Sequence, residues 1–261
     1  MKKPLIITFI AVLMMPLGLL AQEEGAEEAP APLTSVWLIV PKKGMEADFD
    51  AAAAAEIKAR AGKGESREWQ AYRPVVGDNL AIVHYRACCF EWADQDAHEA
   101  QDLELGLGES WGENVGPYVD HYHHYFERAD WENSHWPEAG TSGPLFGVTT
   151  WTLKEGVGPG PGQAREKLSQ LGINEGYVND DINWIWFSRI GGAPKLSIVS
   201  SYENYADMEP PEQSFFEFVT EQVGEEEAGA LFAQFGSGFA SSDYTVWQLD
   251  TDLSSPSSDE E

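Results

Sequence analysis

The chain has 261 residues, and 44 Asp and Glu against 16 Lys and Arg give it a formal net charge of −28 at pH 7. That balance excludes sequence-independent binding to DNA or RNA, which rests on Lys and Arg neutralising phosphates, and it disfavours docking on an anionic membrane surface. With 43% hydrophobic and 12% aromatic residues the chain can bury a core, so wholesale disorder is excluded as well.

Residues 1–21 read as a signal peptide. Lys2 and Lys3 form a short positive start, an apolar stretch follows, and Ala21 precedes an acidic run. The stretch is short for a membrane span. A bacterial export signal of this kind implies a periplasmic or secreted protein with no membrane contact after cleavage. Residues 22–33, rich in Glu, Ala and Pro, are an expected flexible linker. Cys88 and Cys89 are the two cysteines. They are expected as small, partly buried residues at a strand end, and the sequence leaves open whether they are bridged.

The next segments come in a recognisable order. The run SVWLIVP at 35–41 is β-branched and apolar, which predicts a strand. Residues 44–61 carry Met45, Phe49, Ala53 and Ile57 at helical spacing. Residues 67–76 and 80–87 predict two strands across a Gly77-Asp78-Asn79 turn. Residues 90–107 are acidic with helical stretches, and 120–129 predict an aromatic-rich strand. The same order then recurs. Residues 146–154 predict a strand, 163–171 a short helix, 182–190 and 196–200 a hairpin, 214–235 a helix, and 243–250 a last strand. Local matches support a duplication: Trp69-x-x-Tyr72 with Trp184-x-x-Phe187, Leu80–Val83 with Leu196–Val199, and Trp92-Ala93-Asp94 with Tyr205-Ala206-Asp207. Each copy reads β-α-β-β-α-β, the ferredoxin-like unit. The predicted class is α+β, with repeat 1 over 34–137, a linker at 138–144, repeat 2 over 145–253 and a disordered acidic tail at 254–261.

A lone unit of this type leaves one sheet face open. In Trp184-Ile185-Trp186-Phe187 no polar alternation survives, so both faces are expected to be buried, and the cheapest cover for each open face is the other copy. This layout resembles the dimeric α/β-barrel superfamily, whose members include antibiotic-biosynthesis monooxygenases and haem-handling enzymes. The resemblance covers about Ser35 to Leu253 and rests on element order, the tandem copy and the WAD/YAD match. It implies one intrachain barrel, a monomer, and a ligand in the barrel interior. It carries no catalytic signature, so no reaction follows from it.

Residue chemistry then marks the first copy. By period-two alternation His84 and Arg86 share a strand face, and Arg73 shares one with Trp69. The second copy has Ser200 and Ser188 at the positions of His84 and Arg73. The candidate ligand pocket is therefore Trp69, Tyr72, Arg73, His84, Arg86, Trp184 and Trp186, taking a small apolar or aromatic molecule. Alternatively these polar groups reach the rim and solvent. His121 and His123 point the same way on a strand and, with His84 or Glu127, form a candidate transition-metal set; an aromatic surface cluster is the other reading. No cofactor is predicted, with haem or a metal as the minor alternative. The expected function is an exported small-molecule binder; the rivals are a cofactor-independent monooxygenase or haem-handling enzyme using the cavity, and a scaffold without a ligand.

The charge is segregated. No Lys or Arg follows Lys195, and Glu or Asp crowd the later helices of both copies. A solvated acidic surface of this kind repels itself at low salt. The melting temperature is expected to rise from low to molar NaCl; a flat profile would remove the case for adaptation to saline surroundings.

Overall fold

The computed structural model describes residues 30–137, 143–179 and 182–256. The expected signal peptide, most of the acidic linker, most of the 138–144 linker and the end of the tail lie outside the described residues.

The first half contains β1 (Leu33–Pro41), α1 (Glu46–Gly62), β2 (Gln70–Val76), β3 (Val83–Phe90), α2 (Trp92–Leu105), α3 (Leu107–Asn114) and β4 (Val119–Ala129). The second half repeats the order with β5 (Leu145–Leu153), α4 (Gly160–Asn174), β6 (Ile185–Ile190), β7 (Lys195–Tyr202), α5 (Phe215–Val223), α6 (Glu225–Gly236) and β8 (Phe239–Asp250). Within the halves the strand orders are β4-β1-β3-β2 and β8-β5-β7-β6. Two antiparallel seams join them, β2 with β8 from Ala71↔Asp250 and β4 with β6 from Phe126↔Ile190. The hydrogen-bonded order therefore closes on itself as a barrel of eight strands. Closure gives every strand a neighbour on both sides.

Alternation along the strands sorts side chains to two sides. On β1, Leu38 faces the enclosed interior, while Ser35, Trp37 and Ile39 face the helices. The helix side of the first half is a packed core in which Ile39, Phe49, Ala53, Ile57, Ala71, Val83 and Tyr85 are buried. Both sides are covered, which is why residues 36–40 of β1 and 185–187 of β6 read as continuous apolar stretches rather than alternating ones.

Glycines account for the main departures from the predicted elements. Gly106, at φ 63°, separates α2 from α3, and Gly224, at φ 87°, breaks the single helix predicted over 214–235 into α5 and α6. The strand predicted from Leu80 starts at Val83, because 80–82 complete the turn around Asn79, whose φ is +55°. Trp92-Ala93-Asp94 is the first turn of α2, whereas Tyr205-Ala206-Asp207 opens a short 3-10 turn, so that match does not mark equivalent helices. The start of the predicted tail is ordered: Ser254 Oγ and Ser255 Oγ accept from the amides of Ala71 and Trp69, each at 2.9 Å.

Candidate functional site

Two spaces carry the chemistry, one inside the closed sheet and one between the sheet and the helices of the first half. The interior space has a volume of about 300 Å³. Register builds its polar wall. Val36 of β1 pairs with Arg86 on one side and Tyr125 on the other, and Arg189 of β6 pairs with Glu127 of β4. Tyr72 of β2 pairs with His84 of β3. The His84 ring sits 5.1 Å from the Trp247 ring and 6.0 Å from that of Tyr72, and its Nε2 is buried without a hydrogen-bond partner. Burial, reinforced by the positive charges of Arg86 and Arg189, pushes its pKa down to about 3, so the imidazole is neutral. Burial also raises the pKa of Glu127, outweighing the attraction of Arg86 and Arg189.

Cys88 and Cys89 are joined by a disulfide and line this interior, which settles the question the sequence left open.

Of the residues predicted to line one pocket, Tyr72, His84 and Arg86 meet in the interior. Arg73 does not. It lies on the helix side, where Nε donates to Asp250 at 2.8 Å and Nη2 pairs with Asp50. Trp69 also faces the helices, and Trp184 and Trp186 pack under α4, their indole N–H groups donating to Asn133 O and Ser169 Oγ. Period-two alternation puts neighbouring residues on opposite faces, so Trp69 and Tyr72, three apart, cannot share one.

The histidines are likewise divided. His121 and His123 are exposed on β4, with His121 Nδ1 2.7 Å from Asp120, while His84 is two strands away beyond Leu38. Among the described residues no group of three or more His, Cys, Asp or Glu is placed to hold a metal ion.

The larger space, about 740 Å³, lies between the outer face of β1–β4 and helices α1–α3. Its walls are mainly aromatic. Trp37 stacks on His124 with ring centroids 4.1 Å apart, Tyr85 meets Trp111 edge-on at 5.7 Å, and Trp69 stands 6.3 Å from His98. The sequence reasoning missed this site. Its signal was the inward stripe of α2, where Gln95, His98 and Asp102 recur at helical spacing and leave the helix with no fully buried residue. Polar contacts dock α2 instead: Arg67 Nη1 donates to Gln95 Oε1 at 2.8 Å, and Gln101 Oε1 accepts from Ser66 N and Oγ, both at 2.9 Å. A capping box between Glu91 and Asp94 starts the helix.

Beneath α2, His98 Nδ1 and the Tyr85 hydroxyl are buried without partners. Burial and the nearby Arg67 charge hold the His98 pKa below its ordinary value, and the same two causes act on His124. Two neutral imidazoles thus face an aromatic cavity. His124 Nε2 is engaged by Ser35 Oγ at 3.1 Å, whereas His98 Nδ1 is buried with no hydrogen-bond partner.

The corresponding space in the second half is smaller. There α5 and α6 bury Phe218, Val219, Ala228 and Leu231, and Phe215 and Phe232 pack against them. Only about 300 Å³ remains beneath α4–α6.

Neither a protein-family model nor a curated protein matches the chain. Solved structures do. One, from Lactobacillus acidophilus NCFM and described as a "putative monooxygenase", is 8% identical with a TM-score of 0.50 over 85% of this chain and 95% of that one. The chain shares that fold. An anthrone oxidase-like protein (11% identical, TM-score 0.49, 84% of this chain and 91% of that one) and a "putative monooxygenase" from Fusobacterium nucleatum (10%, 0.48, 84% and 93%) are similar more distantly. At such identities the likeness is one of fold and assigns no activity.

Proposed function

We propose that the protein is an exported small-molecule binder made of two fused ferredoxin-like repeats, and that its main ligand is a flat aromatic molecule held between α2 and the sheet of the first half. The observation that carries this reading is the difference between the halves. The second half fills the sheet-to-helix space with Phe and Trp, while the first leaves about 740 Å³ lined by aromatic rings and two buried polar atoms without partners. An apolar cavity with a few convergent polar groups is the usual form of a ligand site. The site is moved from the interior favoured by the sequence because Trp69 and its aromatic neighbours face the helices.

The test is a titration with 1-naphthol followed by quenching of tryptophan fluorescence. Gly112 of α3 lines the cavity, and a Cβ there meets nothing within 4 Å. Gly112→Phe is expected to weaken 1-naphthol binding at least tenfold and to leave the melting temperature unchanged or higher, since glycine is a poor helix former. Unchanged affinity in a folded Gly112→Phe protein would refute the placement.

A second reading is favoured by His98 alone. A neutral imidazole with a free Nδ1 can accept a proton of a bound quinol, and the resulting quinolate can pass two electrons to O₂, giving the quinone and hydrogen peroxide without a cofactor. The fold likeness to a protein described as a "putative monooxygenase" is compatible with that chemistry. Oxygen uptake with naphthoquinols, lost in His98→Ala, supports this reading; uptake that is absent, or unaffected by His98→Ala, leaves the binder. Haem is read by the same route, as a Soret band on titration that depends on His98, and a protein that takes up none of these compounds is a scaffold.

A further inference from the structure

We propose that the interior of the closed sheet is a second, separate site, and that it binds a small carboxylate with an aromatic or branched body. The argument begins with two arginines. The guanidinium carbon of Arg86 lies 4.9 Å from the centre of the Phe187 ring, and that of Arg189 lies 3.6 Å from the Tyr125 ring. Stacking fixes the flat faces of both groups and leaves their N–H edges to take partners. Arg60, Arg73 and Arg165 each form an ion pair. Among the described residues Arg86 and Arg189 form none. Arg86 has a weak contact with Thr34 Oγ1 at 3.4 Å and a hydrogen bond to the Tyr72 hydroxyl; Arg189 hydrogen-bonds the Tyr125 hydroxyl, but its Nε is buried with no hydrogen-bond partner.

The acid nearest to hand forms no ion pair with them. Glu127 is buried on the same wall, and burial raises its pKa against the pull of both arginines. The second unpartnered atom, His84 Nε2, belongs to a neutral imidazole lining the same space. Two cations without an ion-pair partner, walled by low-dielectric surface, are stabilised when an anion joins them. A carboxylate meets the fork of a guanidinium with two parallel hydrogen bonds.

Phe146, Val148, Ile185, Phe187 and Trp247 supply an apolar wall. A volume near 300 Å³ lies at the small end of ligand pockets, which selects a compact molecule. The site is chemically opposite to the rest of the molecule, whose net charge of −28 repels anions.

Calorimetric titration with benzoate and with its neutral isostere benzamide tests the proposal. Benzoate is expected to bind at least tenfold more tightly than benzamide. Arg86→Met and Arg189→Met are each expected to lower benzoate affinity at least tenfold while keeping or raising the melting temperature, because each removes an unpaired cation. Gly112→Phe, which blocks the outer cavity, is expected to leave benzoate binding unchanged, so failure of this site and failure of the outer one read separately. Equal affinity for the two probes, no benzoate binding, or loss of it in Gly112→Phe rather than in the arginine variants would each overturn the proposal. The comparison of the two probes uses the unaltered protein, so it stands even where an arginine variant misfolds.

Discussion

Acidification from pH 7 to pH 4 is expected to destabilise the protein through His84. In the folded chain burial and two arginine charges hold its pKa to about 3, against an ordinary value of 6.5. The unfolded chain therefore takes up a proton between those values while the folded chain does not. Stability contributed by the neutral, buried form is complete above about pH 6.5 and is lost as the pH falls below it. At pH 4 the loss from this group alone is on the order of 3 kcal/mol. Glu127 acts with the opposite sign: its raised pKa makes it oppose folding as the pH rises above the ordinary carboxylate value, so acidification relieves that penalty. Urea unfolding at pH 7, 5.5 and 4 measures the sum. His84→Gln is expected to flatten the slope, and Glu127→Gln to steepen it. An acid limb identical in the parent and His84→Gln proteins would rule out the buried neutral imidazole.

Glu65→Ala is expected to be among the most damaging single changes. Glu65 has 3% of its side chain exposed and takes both forks of Arg60, Nε and Nη2, at 2.8 Å each. It also accepts the indole N–H of Trp69 at 3.0 Å. Removing it strands a buried guanidinium, with Asp102 at 3.8 Å and the Leu107 carbonyl at 3.5 Å as remaining partners. Breaking a buried pair from one side costs about 3–5 kcal/mol, a loss of roughly 10 °C in melting temperature for a chain of this size. Replacing both partners, Arg60→Met with Glu65→Ala, is expected to recover more than half of the loss, since no unpaired charge is then left inside. Because Trp69 walls the outer cavity, its emission shifts in Glu65→Ala and 1-naphthol binding weakens along with stability. A Glu65→Ala protein as stable as its parent would mean that the pair is solvated.

His84 and Glu65 lie on opposite sides of the sheet, and that division was only partly visible in the residues. Alternation placed His84 and Arg86 on one face, and the structure keeps them together. It also placed Arg73 with Trp69, and both do face the helices. What alternation could not say is which face points inward, since the apolar stretches 36–40 of β1 and 185–187 of β6 carry no polar mark of direction. Trp184 and Trp186 were grouped with Tyr72 for the same reason, and the closed sheet separates them. The outer cavity was hidden by a misleading likeness: the WAD and YAD segments suggested two equivalent helices, yet α2 turns Gln95, His98 and Asp102 toward the sheet where α5 turns Phe215 and Phe218. The glycines that cut the helices at 106 and 224 were present in the sequence, but nothing local states that a glycine will be used at positive φ.

The sequence by itself determined the acidic character, the α+β class and the order β-α-β-β-α-β in each half, because period and local propensity act over neighbouring residues. Only the tertiary structure decided that the ends of the two sheets join at β2–β8 and β4–β6, that Cys88 and Cys89 are bridged, and that the space beneath the helices is larger in the first half than in the second. The seams bring together residues up to about 180 positions apart in the chain, such as Arg73 and Asp250. Their energies depend on shape and burial, which no local pattern encodes.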